Sequence, residues 1–150
     1  MPTKKTVKKI HRKGSVAVHR AAAGAPSAAL LRRFALAAAP ARCEVTLRVV
    51  GAAESTSLNN KYRTKKNPTN VLSFPYGGGS GDVVLCHPVI AREAKEQRKS
   101  LRAHYAHLTV HGVLHLRGHD HLRNIDAARM ERAEIRILRR LGFGNPYTVK

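Results

Sequence analysis

The stretch His111-Gly112-Val113-Leu114-His115-Leu116-Arg117-Gly118-His119-Asp120-His121 constrains this chain more than any other. From Leu108 to Leu116 the residues are nearly all apolar apart from the histidines, so the segment reads as the later part of a buried helix. His111 and His115 stand four apart. On a helix such residues stack on one face with Cβ atoms about 5–6 Å apart, which lets both imidazoles converge on one zinc ion at roughly 2.0–2.1 Å. Gly118 then frees the backbone to leave the helix and turn back, and His121 sits where that return delivers it to the open side of the metal. Three neutral nitrogen ligands leave the fourth position to water, the arrangement of a catalytic zinc and not of a purely structural one.

The spacing HxxxHxxGxxH is that of the metzincin peptidases. A peptidase of that kind carries a glutamate general base directly after the first histidine, where this chain has Gly112. The spacing therefore predicts the metal without predicting proteolysis. His104, His107 and His119 lie close by; His107 is one turn before His111 on the same buried face. His107 and His119 are expected to hydrogen-bond near the metal without binding it. Asp82 and Asp120 are candidates for a proton acceptor or for a partner of the ligand histidines.

Charge points to the substrate. Lys and Arg total 28 against 9 for Asp and Glu, a formal net charge of +19 that calls for a polyanionic partner. Tryptophan is absent and aromatic residues are few, which favours backbone recognition over a base-stacking platform. Six of the cations, Lys4, Lys5, Lys8, Lys9, Arg12 and Lys13, fall within Met1 to Gly14 and read as a mobile basic arm, either a solvated tail or a grip on phosphates. A single domain is expected over 15–150. Charge alone leaves that polyanion open among nucleic acid, an anionic membrane surface and acidic protein. If it is RNA, Lys61, Arg63, Lys65 and Lys66 around a loop, and Arg92, Lys95 and Arg98 along a helix, are the other candidates for contact.

Cys43 and Cys86 have no metal-binding or redox spacing and read as small core residues in a reducing compartment. No apolar run reaches the roughly 18 residues of a membrane span. A cytoplasmic location is expected. The absence of acidic residues before Glu44 also fits an organellar transit peptide, and the apolar stretch after Arg32-Arg33 fits, less well, a short secretory signal.

Around the histidines the chain alternates strand and helix signals. Val16 and Val18 suggest a short strand, and Pro26-Ser27 opens a helix through Ala38 that Pro40 stops. Strands are predicted over Glu44 to Val50, Val71 to Phe74 and Asp82 to Cys86, the second ended by Pro75 and the last two joined by a glycine-rich turn. Helices are predicted over Ser57 to Arg63, from Pro88 to about Lys99, after the cap Ser100, and from about Asp126. The last of these places Met130, Ala133, Ile137, Leu138 and Leu141 on one stripe, with Gly142 as its C-cap.

From about Ser15 to Tyr147 the chain resembles the bacterial YbeY family of single-strand-specific, metal-dependent endoribonucleases. The match is carried by His107-Leu108-Thr109-Val110-His111-Gly112-Val113-Leu114-His115, then Gly118, Asp120 and His121. Leu58-Asn59, Tyr62-Arg63, Pro68 through Phe74 and Gly81-Asp82 follow in family order. The resemblance implies an α+β, zincin-like fold with a four-stranded mixed sheet and about five helices. It also implies one Zn²⁺ per chain on His111, His115 and His121, and Arg63 lining the active-site cleft. Ribosomal RNA in ribosomal particles would be the partner, with ribosome-associated proteins as further ones, and the work would be rRNA maturation and ribosome quality control. The chain departs from the family pattern at Gly51-Ala52, where an acidic residue is usual, at Asn70, which replaces a frequent Asp, and at His119, which replaces a frequent Tyr. The rival from another class is a non-catalytic, zinc-containing ribosome-assembly factor, which four protein ligands on the metal would mark; a metzincin-like peptidase is the third reading.

Overall fold

The computed structural model describes residues 14–63, 69–119 and 124–148, with Tyr62 and Arg63 described through the backbone alone. The expected arm over 1–13 lies outside them. Four strands form one mixed sheet. They are β1 (Ser15–Arg20), β2 (Glu44–Val50), β3 (Val71–Gly77) and β4 (Ser80–Cys86), in the spatial order β1-β2-β4-β3. β1, β2 and β4 run parallel, and β3 pairs antiparallel with β4. Parallel neighbours need a crossover, which α1 (Ala28–Ala38) supplies between β1 and β2. Ser27 caps α1 by accepting the Leu30 N–H at 3.2 Å.

The period of two in β2 shows directly in burial: Val45, Leu47 and Val49 are buried and Thr46 and Arg48 are half-exposed. β3 runs on past Pro75, where the sequence signal predicts its end. It is an edge strand, so the missing proline N–H costs no ladder bond, and the register shifts between Pro75 and Gly77.

Helix α2 (Ala52–Arg63) begins five residues before the predicted Ser57. Glu54 in its first turn receives a hydrogen bond of 2.6 Å from Arg48 of β2, and an acidic group there suits the positive end of the helix dipole. α3 (His87–Glu96) stops short of the predicted Lys99. Its end is closed by Lys99 N–H to the Ala94 carbonyl at 2.9 Å and Arg98 N–H to Lys95 at 3.3 Å, with Arg98 at φ 54° in the left-handed region. Arg98 thus leaves the helical face it was expected to share with Arg92 and Lys95. Two longer helices follow, α4 (Leu101–Leu116) and α5 (Asn124–Arg140), giving five among the described residues.

α4 is the centre of the molecule. It packs on β3 and β4, with α1 beside it and α5 over it, and its Val110, Val113 and Leu114 share one core with Val45, Leu47, Val49, Val83 and Leu85 of the sheet. The opposite face of the sheet carries a smaller cluster of Val50, Leu72, Val84, Cys86 and Val89, packed on by Leu58 of α2. Both cysteines are buried and unpaired, as expected of core residues.

The helix crosses the sheet at Gly112. A Cβ there would lie 2.7 Å from Val83 Cγ1 and 3.2 Å from both Ser73 Oγ and Val71 Cγ2. Ser73 Oγ donates to the Gly112 carbonyl at 2.9 Å, locking the approach. Gly112 stands in place of a general-base glutamate because this position faces the sheet at a distance that admits no side chain. Gly112→Val is expected to destabilise the protein by about 3 kcal/mol through overpacking, measured by urea denaturation. An unchanged midpoint would show that the helix does not lie this close.

Candidate metal centre

Four histidines follow one another along α4, and what each meets is set by its place on the helix. His104 in the first turn is buried and 2.9 Å from Glu93 Oε1 of α3. Glu93 also accepts from the Asn70 amide at 3.1 Å, a donation that an ionised aspartate at position 70 would not make. Burial pushes the pKa of His104 down, against the pull of Glu93.

His107, His111 and His115 are half-buried on the face turned toward α5 and the chain end. The Nε2 atoms of His111 and His115 are 3.2 Å apart. Two nitrogens bound to zinc at about 2.0–2.1 Å and a tetrahedral angle stand roughly 3.3 Å apart. The separation matches that of two nitrogens sharing one zinc ion, although here the two rings hydrogen-bond to each other.

The other nitrogen of His111 is already engaged. Its Nδ1–H donates to Oε1 of Glu134 at 2.5 Å, and Glu134, on α5, has 0% of its surface exposed. The second carboxylate oxygen accepts the Tyr147 hydroxyl and lies 3.5 Å from His107 Nε2. Burial alone would raise the Glu134 pKa, but hydrogen bonds from His107, His111 and Tyr147 outweigh it and hold the carboxyl down to about 2. The ionised carboxylate keeps the His111 proton on Nδ1 and leaves the Nε2 lone pair for a metal. Sequence reasoning passed over Glu134. The signal was there: it stands four after Met130 and three before Ile137, inside the apolar stripe, where a carboxylate has no reason to be unless partnered.

The ligand atoms of His107, His111 and Glu134 also lie within 4.8 Å of one another, so this group too is one that could hold a metal ion. The described residues therefore bring one possible metal-binding triad and the His111–His115 pair to one place, and His111 belongs to both.

Beyond the pair, the chain leaves α4 as Gly118 implies. Gly118, at φ 91°, donates to the His115 carbonyl and His119 N–H to Leu114, both at 3.0 Å. Arg117 Nη1 donates to the Ala38 carbonyl at the end of α1 at 3.0 Å, pinning the turn. His119 is half-buried after the turn; burial, then Arg117, pushes its pKa down. His121 and Asp120 lie outside the described residues, as do Lys65 and Lys66.

Asp82 is not brought to the histidines. Alternation along β4 puts Val83 and Leu85 on the α4 face, so Asp82 falls with Val84 and Cys86 on the other, opposite Phe74, where it accepts the Tyr76 hydroxyl. Arg63 closes α2, and Lys61 is exposed on the same helix. Arg92 and Lys95 are exposed on α3, Arg92 lying 3.8 Å from Glu96. α3 meets the first turns of α4 through Glu93–His104 and His87–Tyr105. At 1.5 Å per residue His104 is about 16 Å along the axis from His115, while the His104 and His107 rings are 6.4 Å apart.

Comparison with known proteins accounts for nearly the whole chain. A family model described as Endoribonuclease YbeY matches residues 14–142. The chain is 53% identical over 128 residues to the endoribonuclease YbeY of Aromatoleum aromaticum, covering 83% of each. It is 48% identical over 128 residues to that of Nitrosomonas eutropha, covering 83% of this chain and 91% of the relative. The solution structure of a protein from Thermotoga maritima has a similar fold, with a TM-score of 0.58 at 18% identity over 89% of this chain and 99% of that one. Among the described residues no helix is long and apolar enough to cross a membrane.

Proposed function

The chain belongs to the YbeY endoribonuclease family, and from that premise we propose that it is a zinc-dependent enzyme cutting single-stranded regions of ribosomal RNA in ribosome maturation and quality control. The observation that carries the metal assignment is the facing pair His111 Nε2 and His115 Nε2, 3.2 Å apart, with the far nitrogen of His111 held by Glu134. His121 is the third ligand. All three donors are imidazoles, which suits one Zn²⁺. A metal on His107, His111 and Glu134 would instead compete with the hydrogen bonds that the carboxylate makes to those histidines.

When bound, zinc supplies Lewis acidity toward a phosphoryl oxygen and lowers the pKa of a water it holds. Arg63 grips the phosphate by charge-assisted hydrogen bonds and offsets charge growing on it. Glu134 is committed to His111 and Tyr147, and Asp82 lies on the far face of the sheet, so neither takes up a proton from the nucleophile. Asp120 is the remaining acceptor, with the RNA 2′-hydroxyl as the alternative nucleophile. The +19 charge supports a ribosomal particle as partner, and a cytoplasmic location goes with that substrate. The peptidase reading loses its basis at Gly112, where Val83 and Ser73 leave no space for a general base.

Arg63→Glu is expected to lower cleavage of a single-stranded RNA by at least about 100-fold with zinc content and melting temperature nearly unchanged. A variant that cleaves normally, or one that unfolds, would remove Arg63 from the reaction. Chelation should abolish cleavage and zinc restore it; a zinc ion closed by four protein ligands would point to an assembly factor instead.

A further inference from the structure

Glu134 orients His111, and what orients Glu134 is the end of the chain. Tyr147 lies beyond α5, and two contacts return this tail to α4 and its neighbours: Lys99 Nζ donates to the Pro146 carbonyl at 3.1 Å, and the Tyr147 ring meets His107 edge-on at 5.3 Å and 84°. Within the tail, Tyr147 N–H donates to Asn145 Oδ1 at 2.8 Å. The hydroxyl, donating to Glu134 Oε2, is also 3.2 Å from His107 Nε2. A phenol has one proton to give. Since it goes to the carboxylate, the hydroxyl accepts from His107 Nε2–H, which it shares with Glu134 Oε2, 3.5 Å from the same nitrogen, while His111 donates to the other oxygen.

We infer that Tyr147 is a positioning residue of the metal centre, holding Glu134 so that its Oε1 stays on His111 Nδ1 and the His111 Nε2 stays turned to the metal. The inference rests on His111 being a ligand. Its physical basis is competition for one carboxylate. Without the hydroxyl, the nearest donor to Oε2 is His107 Nε2 at 3.5 Å, which draws the carboxylate toward His107 and away from His111. Among the described residues, the carboxylate is then left shared between His111 and His107. Tyr147 as a whole is 41% exposed and lies outside the hydrophobic core.

Tyr147→Phe keeps the ring against His107 and deletes only the hydroxyl. Zinc affinity, measured by competition with a chromophoric chelator, is expected to fall 10- to 100-fold, the range for partners that orient a ligand histidine. Nitrogen NMR of the zinc-free protein should show His111 protonated at Nδ1 in the wild type and as a mixture of tautomers in the variant, a signature that mere loosening of the tail would not give. Wild-type affinity with an unchanged His111 tautomer overturns the inference. Should Tyr147→Phe prove unfolded without zinc, Lys99→Met, which releases Pro146 and leaves the ring intact, is expected to weaken zinc several-fold, and a wild-type value there overturns it equally. His115→Ala is the control. If it retains zinc, the ligand assignment falls and this inference with it; if it loses zinc while Tyr147→Phe does not, only the role of Tyr147 is wrong.

Discussion

Replacement of His111, His115 or His121 by alanine is expected to weaken zinc binding by more than about 100-fold in each case, since even partners that only orient a ligand are worth 10- to 100-fold. RNA cleavage should disappear with the metal. His119→Ala is expected to keep most of the zinc, because His119 is not among the three proposed ligands and the backbone bond by which it closes α4, N–H to the Leu114 carbonyl, survives the substitution. Elemental analysis of the purified variants reads the result. His107→Ala separates the two ligand sets that the fold brings together. If zinc sits on His111, His115 and His121, removing His107 costs far less than removing His115. If His107→Ala empties the protein and His115→Ala does not, the metal belongs to His107, His111 and Glu134. A protein that loses metal with His119 and keeps it without His121 would sink the assignment in a different way.

Acidification should expose the second large effect, carried by Glu134. Its carboxyl is held at about 2 in the folded protein against an ordinary 4.5, so the folded state favours the ionised form. A depressed carboxyl contributes stability that is fully present above about pH 4.5 and is lost as the pH falls toward 2. The shift corresponds to something on the order of 3 kcal/mol. In the zinc-free protein, Glu134→Gln is expected to be less stable than the wild type at pH 7, and the gap should close as the pH drops from 5 to 3. Urea denaturation at several pH values measures it. Two curves that fall in parallel would mean that the buried carboxylate is not held ionised by His107, His111 and Tyr147. Zinc binding by Glu134→Gln at pH 7 should weaken as well, because an amide donates as readily as it accepts and no longer keeps the His111 proton on Nδ1.

Much of this architecture is legible in one dimension because it obeys short periods. Alternation every second residue marks β2, and an apolar run broken only by histidines marks α4 as the central helix. Ser27 and Ser100 announce two helix starts, and Gly118 and Gly142 two ends. Boundaries failed where a distant partner intervened. α2 starts early because Arg48, six residues upstream on another element, meets Glu54, and β3 outruns Pro75 because it lies at the edge of the sheet. Spacing alone proposed His111 and His115 as a pair, since four residues on a helix bring side chains together whatever surrounds them.

The rest of the site depended on which elements meet. Alternation shows that Asp82 and Val83 face opposite sides of β4, but not which side α4 covers, and α4 covers that of Val83. Glu134 is 23 residues from His111, and Tyr147 is 40 from His107. No local period links positions so far apart; the burial of the Met130–Ala133–Ile137 stripe against α4 carries Glu134 inward with it. Gly112 follows the same logic, its lack of a side chain being explained by Val83 and Ser73 and by nothing adjacent in the chain. A helix or strand is specified by contacts within a few residues. A buried carboxylate is specified by the partners that offset its desolvation, and those arrive only when the helices pack.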